Sequence, residues 1–240
     1  KAAEILGYEE DKRYYDDLYQ KIREAIIREY FTETGRLAID SQTGYIVALY
    51  SGIYREKEAV VAGLKARFYK DCYKLKGGFT GAPILCRVLA ENGFEEDAFY
   101  FLLQEDYPGW MHCINLGATT IWERWNSFTR ENGFGGNNSM NSFNHYSLGS
   151  VLSWLYENTL GIQRDEEYPG YKHFTLKPEM GTFEFAEGGI DTPYGRIESA
   201  WKKTDAGYSY TCHIPENTTA TIVLGGEHKE IGSGEYTFTV

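Results

Sequence analysis

The spacing of apolar residues changes once along this chain, near Pro169, and that change most limits the folds open to it. Before it, apolar residues such as Tyr15, Leu18 and Ile22 recur every three or four positions, the period of an amphipathic helix. After it, short segments rich in Thr, Val, Ile, Tyr and Phe alternate with Gly, Pro, Asn and Asp, a pattern typical of strands joined by turns. The sequence therefore predicts a mainly helical part followed by an all-β module.

Helical periodicity and glycine stops divide the first part into antiparallel hairpins joined by short connections. Helices are predicted over residues 11–30, 42–51, 56–73, 81–92, 95–103 and 144–158. The start, residues 1–7, reads as the end of a helix closed by a glycine. Asp40 or Ser41 is the expected cap of the helix that follows. Residues 105–144 are irregular and rich in Gly, Asn and Trp, as long functional loops often are.

The second part predicts a small sandwich of about seven strands. Strands are expected over residues 172–177, 182–187, 195–203, 209–214, 218–223 and 236–240. Residues 205–207 and 224–227 have the composition of hairpin turns. We expect two domains, residues 1–165 and residues 166–240.

Charge and cysteine usage exclude several classes of protein. The chain carries 24 basic and 35 acidic side chains, a formal charge of −11, which argues against nucleic acid and anionic membrane surfaces as partners. No apolar run is long enough to predict a membrane span. The four cysteines are far apart, so we expect free thiols. Neither they nor the five histidines have metal-ligand spacing, and we expect no metal and no organic cofactor.

The segment 117–125 has the composition of a carbohydrate site. Glu123 and Arg124 lie between two indoles, Trp122 and Trp125. The apolar faces of indoles suit the C–H faces of a pyranose, and a neighbouring carboxylate can activate water or orient a hydroxyl. The alternative is that Glu123 and Arg124 form an ion pair near the surface while the indoles fill the core.

A polar cluster follows about twenty residues later. Residues 140–149 place amides, hydroxyls and the imidazole of His145 directly before an apolar helical series. Such a cluster needs hydrogen-bond partners within the protein or from a ligand. His145 could bond a sugar hydroxyl or be a buried histidine satisfied by backbone. Asn141 and Asn144 are more typical of caps and loop ties.

These motifs together resemble the bacterial α-L-rhamnosidases, the inverting enzymes of glycoside hydrolase family 78. The matching stretches are Leu103-Gln-Glu-Asp-Tyr-Pro-Gly-Trp110, Gly117-Ala-Thr-Thr-Ile-Trp-Glu-Arg-Trp125, Met140-Asn-Ser-Phe-Asn-His-Tyr146, Pro169-Gly-Tyr-Lys-His-Phe174 and Ser199-Ala-Trp-Lys202. The resemblance implies the later helices of an (α/α)6 toroid, followed by a C-terminal antiparallel β-sandwich. It also implies a rhamnosyl carbohydrate substrate and an N-terminal remainder of the same polypeptide.

The resemblance further implies roles for individual residues. Glu123 corresponds to the general base, while Trp110, Trp122, Trp125, His145 and Arg124 are the expected substrate contacts. The general acid of the family lies in an upstream Arg-Asp-Glu-Arg-x-Gly-Trp segment that this sequence lacks. Glu105 and Asp106 are possible substitutes, but acids beside Tyr107-Pro108 are more typical of turns. We therefore expect this chain alone to hold one carboxyl group of the catalytic pair.

Two other functions remain open on the sequence. The aromatic-rich segment could belong to a carbohydrate-binding protein without catalysis, which would bind sugar and hydrolyse nothing. Alternatively, the chain could come from another (α/α)6 glycosidase or a lyase, which would act on a different sugar.

Overall fold

In the computed structural model, residues 1–134 and 140–240 are described, and they divide into two compact units. The first unit, Lys1–Gly149, is helical, and the second, Ser150–Val240, contains two four-stranded sheets. The predicted order of a helical part followed by strands is confirmed. The domain bounds 1–165 and 166–240 stay a prediction. No helix within the described ranges is long and apolar enough to span a membrane.

The helical unit follows the sequence periodicity closely. Its helices are α1 Ala2–Ile5, α2 Glu9–Tyr30, α3 Gln42–Ser51, α4 Lys57–Lys70, α5 Ala82–Glu91, α6 Glu95–Leu103, α7 Trp110–Asn115 and α8 Tyr146–Gly149. The five helices predicted between residues 11 and 103 are confirmed to within three residues at each end. Helix α7 was not predicted, because six residues are too few to show a helical period. The predicted irregular region around it includes residues 135–139, which lie outside the described residues.

The caps of helix α3 explain why both of its ends were predicted correctly. Ser41 is its N-cap, and the Ser41 Oγ accepts a hydrogen bond from the Gly44 N–H at 3.1 Å. Gly52 closes the helix in the left-handed conformation, with φ of 67°. Of the two expected caps, Ser41 is therefore the one that binds the helix end.

Helices α3 to α6 form the core of the helical unit. Buried side chains such as Ile46, Leu64, Leu85 and Phe101 fill it. Helix α2 differs, because none of its residues is buried. Its predicted apolar face is exposed: Tyr15, Leu18 and Ile22 are 61%, 37% and 50% exposed, respectively.

The predicted helix 144–158 is interrupted. The His145 backbone N–H donates to the Ile121 carbonyl at 2.9 Å, so its backbone pairs with another segment, and the helix begins only at Tyr146. Beyond α8, the second unit opens with helix α9, Val151–Trp154, and a π-helical turn, Leu155–Thr159. Gly149, which is conformationally permissive, lies at the first interruption.

The second unit contains strands β1 Ile162–Arg164, β2 His173–Leu176, β3 Phe185–Thr192, β4 Gly195–Thr204, β5 Gly207–Ile214, β6 Thr219–Leu224, β7 Glu227–Ile231 and β8 Gly234–Thr239. One sheet has the order β1-β2-β6-β7 and the other β3-β4-β5-β8. The pair β2–β6 is parallel, which corrects the expectation of wholly antiparallel pairing. Three strands between them belong to the other sheet, so β6 can return beside β2 in the same direction.

Both predicted hairpin turns are confirmed. Thr204 pairs with Gly207 across the first turn, and Leu224 pairs with Glu227 across the second. A continuous apolar core supports the sheets and includes Phe174, Tyr210 and Ile222.

Candidate functional site

The two motifs predicted to carry function lie beside each other in the helical unit. The Glu123 backbone N–H donates to the Ser142 carbonyl at 2.9 Å, and His145 donates to Ile121 in the same way. The Thr120 hydroxyl also donates to the Phe143 carbonyl. These bonds join residues 120–123 to residues 142–145, so the carboxylate and the polar cluster belong to one site.

The Glu123 side chain is buried and held in one orientation. It is 8% exposed, and its Oε2 atom accepts a hydrogen bond from the Ser142 backbone N–H at 2.7 Å. The bond therefore fixes one of the two carboxyl oxygens of Glu123.

Ser127 and Asn141 support this arrangement. The buried Ser127 Oγ accepts from the Arg124 backbone N–H at 3.2 Å, and the Asn141 amide donates to the Ser127 carbonyl at 3.1 Å. Asn141 thus ties two loops together, as predicted. Ser127 and Ser142 were not singled out from the sequence. Ser142 does lie within the polar cluster, but serines are common in loops and give little signal by themselves.

The three predicted indoles take part in two separate aromatic contacts. Trp110 and Trp122 are buried, at 5% and 6% exposure, and Trp125 is half-buried. Trp110 donates from its Nε1 to the Leu148 carbonyl at 3.0 Å and meets the Trp125 ring edge-to-face at 5.1 Å. Trp122 contacts the Phe143 ring at 5.7 Å. Packing accounts for most of the surface of Trp110 and Trp122, and contact of any of the three with a sugar stays a prediction.

His145 lies between two aromatic rings. Its ring stacks on Phe79 at 5.0 Å and on Tyr146 at 5.3 Å. The Ser147 backbone N–H donates to His145 Nδ1 at 3.3 Å, so the neutral ring carries its proton on Nε2. That proton is a donor for an oxygen atom of a ligand. Phe79, which is distant in sequence, gave no signal of this contact.

Arg124 lies in different surroundings from Glu105 and Asp106, the two possible substitutes for the general acid. Arg124 is half-buried in the turn that carries Glu123. Asp106 is exposed and pairs with the Lys74 ammonium at 2.7 Å. That bond holds the pKa of the Asp106 carboxyl below its usual range, so Asp106 is ionised at neutral pH and is a poor proton donor. Glu105 is also exposed.

Cysteine and metal chemistry have little support in the described part of the chain. All four cysteines are free, as predicted. Burial raises the pKa of the Cys86 thiol to about 12 and that of the Cys113 thiol to about 11, so both are neutral and weakly nucleophilic. No cluster of three or more His, Cys, Asp or Glu side chains suited to a metal ion occurs among the described residues.

Family comparisons assign both parts of the chain. Residues 1–159 match the bacterial alpha-L-rhamnosidase 6 hairpin glycosidase domain, which is a class of sugar-cleaving domain. Residues 161–238 match the bacterial alpha-L-rhamnosidase C-terminal domain. The chain belongs to the bacterial α-L-rhamnosidase family.

Individual relatives agree with this assignment. An alpha-L-rhamnosidase of Alteromonas sp. (strain LOR) is 36% identical over 93% of the chain and 24% of its own length. The structure of Streptomyces avermitilis alpha-L-rhamnosidase complexed with L-rhamnose has a TM-score of 0.86 at 31% identity, covering 95% of this chain and 24% of that one. The crystal structure of the native α-L-rhamnosidase from Aspergillus terreus has a TM-score of 0.89 at 30% identity. The match covers 99% of this chain and 28% of that one. The chain thus spans about a quarter of the length of the relatives it matches.

Proposed function

We propose that this chain is the C-terminal portion of an inverting α-L-rhamnosidase that hydrolyses terminal α-L-rhamnosyl residues of glycosides or polysaccharides. The observation that carries the proposal is Glu123, a buried carboxylate fixed by the Ser142 amide within the motif that resembles the family's general-base segment. Membership of the rhamnosidase family and similarity to an enzyme solved with L-rhamnose support the choice of sugar.

Glu123 acts as the general base in this proposal. Its Oε2 is held by the Ser142 amide, and we assign Oε1 to take a proton from water. The water oxygen then bonds to the anomeric carbon from the face opposite the leaving group, and the glycosidic C–O bond breaks. A general acid protonates the departing oxygen. We assign that acid to the N-terminal remainder of the same polypeptide.

The surrounding side chains bind the sugar in this proposal. Trp125 is half-buried and presents part of its ring, while Trp110 packs edge-to-face against it. Trp122, next to Glu123 in sequence, packs against Phe143. His145 donates from Nε2 to a sugar hydroxyl, with its ring orientation fixed by the Ser147 N–H. Arg124 adds a donor near the base.

The two units also fit the architecture implied by the family. We propose that the helical unit is the later half of an (α/α)6 toroid and that the two sheets form a sandwich. The exposed apolar face of α2 supports the first point, since a contiguous exposed apolar face usually meets a partner. Residues of the remaining toroid helices would bury it.

The stereochemistry of the first product tests this mechanism. The longer natural protein is mixed with an aryl α-L-rhamnoside, and the anomeric protons are followed by NMR before mutarotation. Inversion predicts β-L-rhamnose as the first product. Initial release of the α-anomer would contradict the mechanism, and absence of hydrolysis on rhamnosides would contradict the assigned activity.

A further inference from the structure

The unit Ser150–Val240 contains a groove that the proposed mechanism does not use. It has a volume of about 500 Å³, within the range of small-molecule sites. Its lining comes from the loop between β1 and β2, from the start of β2, from the loop that precedes β6 and the start of β6, and from β7. Asp165, Tyr168, Lys172 and Glu230 are among the lining residues.

One wall of the groove is held by hydrogen bonds. Both ring nitrogens of His173 are engaged, Nδ1 with the Thr219 hydroxyl at 2.7 Å and Nε2 with the Thr221 hydroxyl at 3.0 Å. The Tyr168 ring meets this imidazole edge-to-face at 5.7 Å. Tyr168 itself is 49% exposed. The wall therefore supports an aromatic ring that still has surface available for a ligand.

The rim of the groove mixes acceptors and donors. Asp165 and Glu230 contribute carboxylates, and the side chain of Glu230 is 69% exposed. Lys172 contributes an ammonium that is positioned by the Asn217 carbonyl. A rim with both signs of charge suits neither a polyanion nor a simple cation. It does suit neighbouring hydroxyl groups, which donate to carboxylates and accept from an ammonium.

We propose that this groove binds a neutral sugar unit of the saccharide substrate. The sugar ring lies against Tyr168, its hydroxyls donate to Asp165 and Glu230, and Lys172 donates to a ring or hydroxyl oxygen. The choice of a rhamnose-containing saccharide rests on the function proposed above. The groove would hold the substrate by contacts separate from those at Glu123.

The test is an NMR titration of the ¹⁵N-labelled 240-residue chain with L-rhamnose and with rutinose, a neutral rhamnose-containing disaccharide. We expect amide shifts in residues 165–173 and 217–230. Tyr168→Ala should weaken that binding roughly five- to tenfold, the effect of losing one ring contact. Asp165→Asn, a nearly isosteric change, should weaken it as well. Asp205→Asn, at an exposed β4–β5 turn, is the matched control and should change nothing.

Glu123→Gln separates this proposal from the proposed catalytic function. It should leave the groove shifts unchanged while lowering turnover by the longer protein roughly 100- to 10,000-fold. The groove proposal would be overturned if neither sugar shifted the amide signals at the groove. It would also be overturned if Tyr168→Ala and Asp165→Asn both bound the sugar as tightly as the wild type. Loss of the groove shifts in Asp205→Asn as well as in Asp165→Asn would also overturn it. None of these outcomes would affect the proposed hydrolysis at Glu123, which is measured separately in the longer protein.

Discussion

At the scale of single residues, the hydrogen bond from the Ser142 amide to Glu123 is the feature on which the proposed catalysis most depends. Side-chain changes leave a backbone N–H in place, and only proline removes it. In the longer enzyme, Ser142→Pro should lower kcat roughly 100-fold, because small displacements of a catalytic group carry costs of that order. The measurement is steady-state hydrolysis of an aryl rhamnoside, with circular dichroism to verify folding.

Ser142→Ala is the matched control. It removes the hydroxyl, which accepts from the Asn144 N–H, but keeps the amide. Its kcat should stay within a few-fold of the wild-type value. A folded Ser142→Pro variant with unchanged kcat would refute the role of this amide.

Residue identity pointed to some members of the candidate site and not to others. Glu123 and His145 were identifiable because a carboxylate between indoles and an imidazole in a polar cluster are uncommon and chemically capable. Ser142 and Ser127 were not, because their roles arise from backbone pairing between two distant segments. The burial of Trp110 and Trp122 was also left open by the sequence, since an indole suits a core and a sugar equally well.

At the scale of elements, helix α2 was predicted almost to its ends, but the partner of its apolar face was not. Because Ile22 is half exposed, Ile22→Ala in this 240-residue chain should change the free energy of unfolding by no more than about 0.5 kcal/mol. Leu64→Ala, in the core of α4, should cost about 2–5 kcal/mol. Denaturant unfolding measures both.

The same substitution in the longer protein tests the toroid. If further helices cover α2, Ile22→Ala should there become destabilising by more than 1 kcal/mol, in the manner of a buried residue. An equally small effect in both proteins would contradict the proposed covering of this face.

A second prediction at this scale concerns the tie between α3 and α4. The Arg67 guanidinium binds Asp71, and Gln42 on α3 donates to Asp71 Oδ2 at 2.9 Å. The bond to Arg67, followed by that to Gln42, lowers the pKa of the Asp71 carboxyl. A lowered folded-state pKa contributes stability above the unfolded pKa of about 3.9 and loses it as pH falls through the folded value.

Asp71→Asn should therefore be less stable than wild type at pH 7. This gap in the free energy of unfolding should close on acidification below about pH 4. Urea unfolding between pH 7 and pH 3 measures it. Asp17→Asn, an exposed change on α2, should show a much smaller gap throughout. A gap for Asp71→Asn that persists undiminished at the lowest pH would contradict the assignment.

Long-range pairing limited the prediction of the strands. The hairpins of the second unit follow from local turn residues, and both were found. The parallel pairing of β2 with β6 depends on contacts across more than forty residues, which local pattern does not encode. Strand β7 was not predicted because its first four residues, Glu227 to Glu230, are exposed and polar. Strand β1 was not predicted because it has only three residues.

At the scale of the whole molecule, the change of period predicted a helical part followed by strands, and the structure confirms that order. The family matches divide the chain between residues 159 and 161. The closed toroid and the sandwich stay proposals. A chain that spans about a quarter of its relatives' length carries only part of the contacts that define such an architecture.

The most direct test of Glu123 as the general base is the kinetics of Glu123→Gln in the longer protein. Turnover of rhamnosides should fall roughly 100- to 10,000-fold, which is the usual contribution of a general base. Binding of L-rhamnose should stay within a few-fold, because glutamine keeps the shape and an acceptor for the Ser142 amide. Glu131→Gln, an exposed neighbour, should leave turnover unchanged. Near-normal turnover by Glu123→Gln would contradict the assignment of the base.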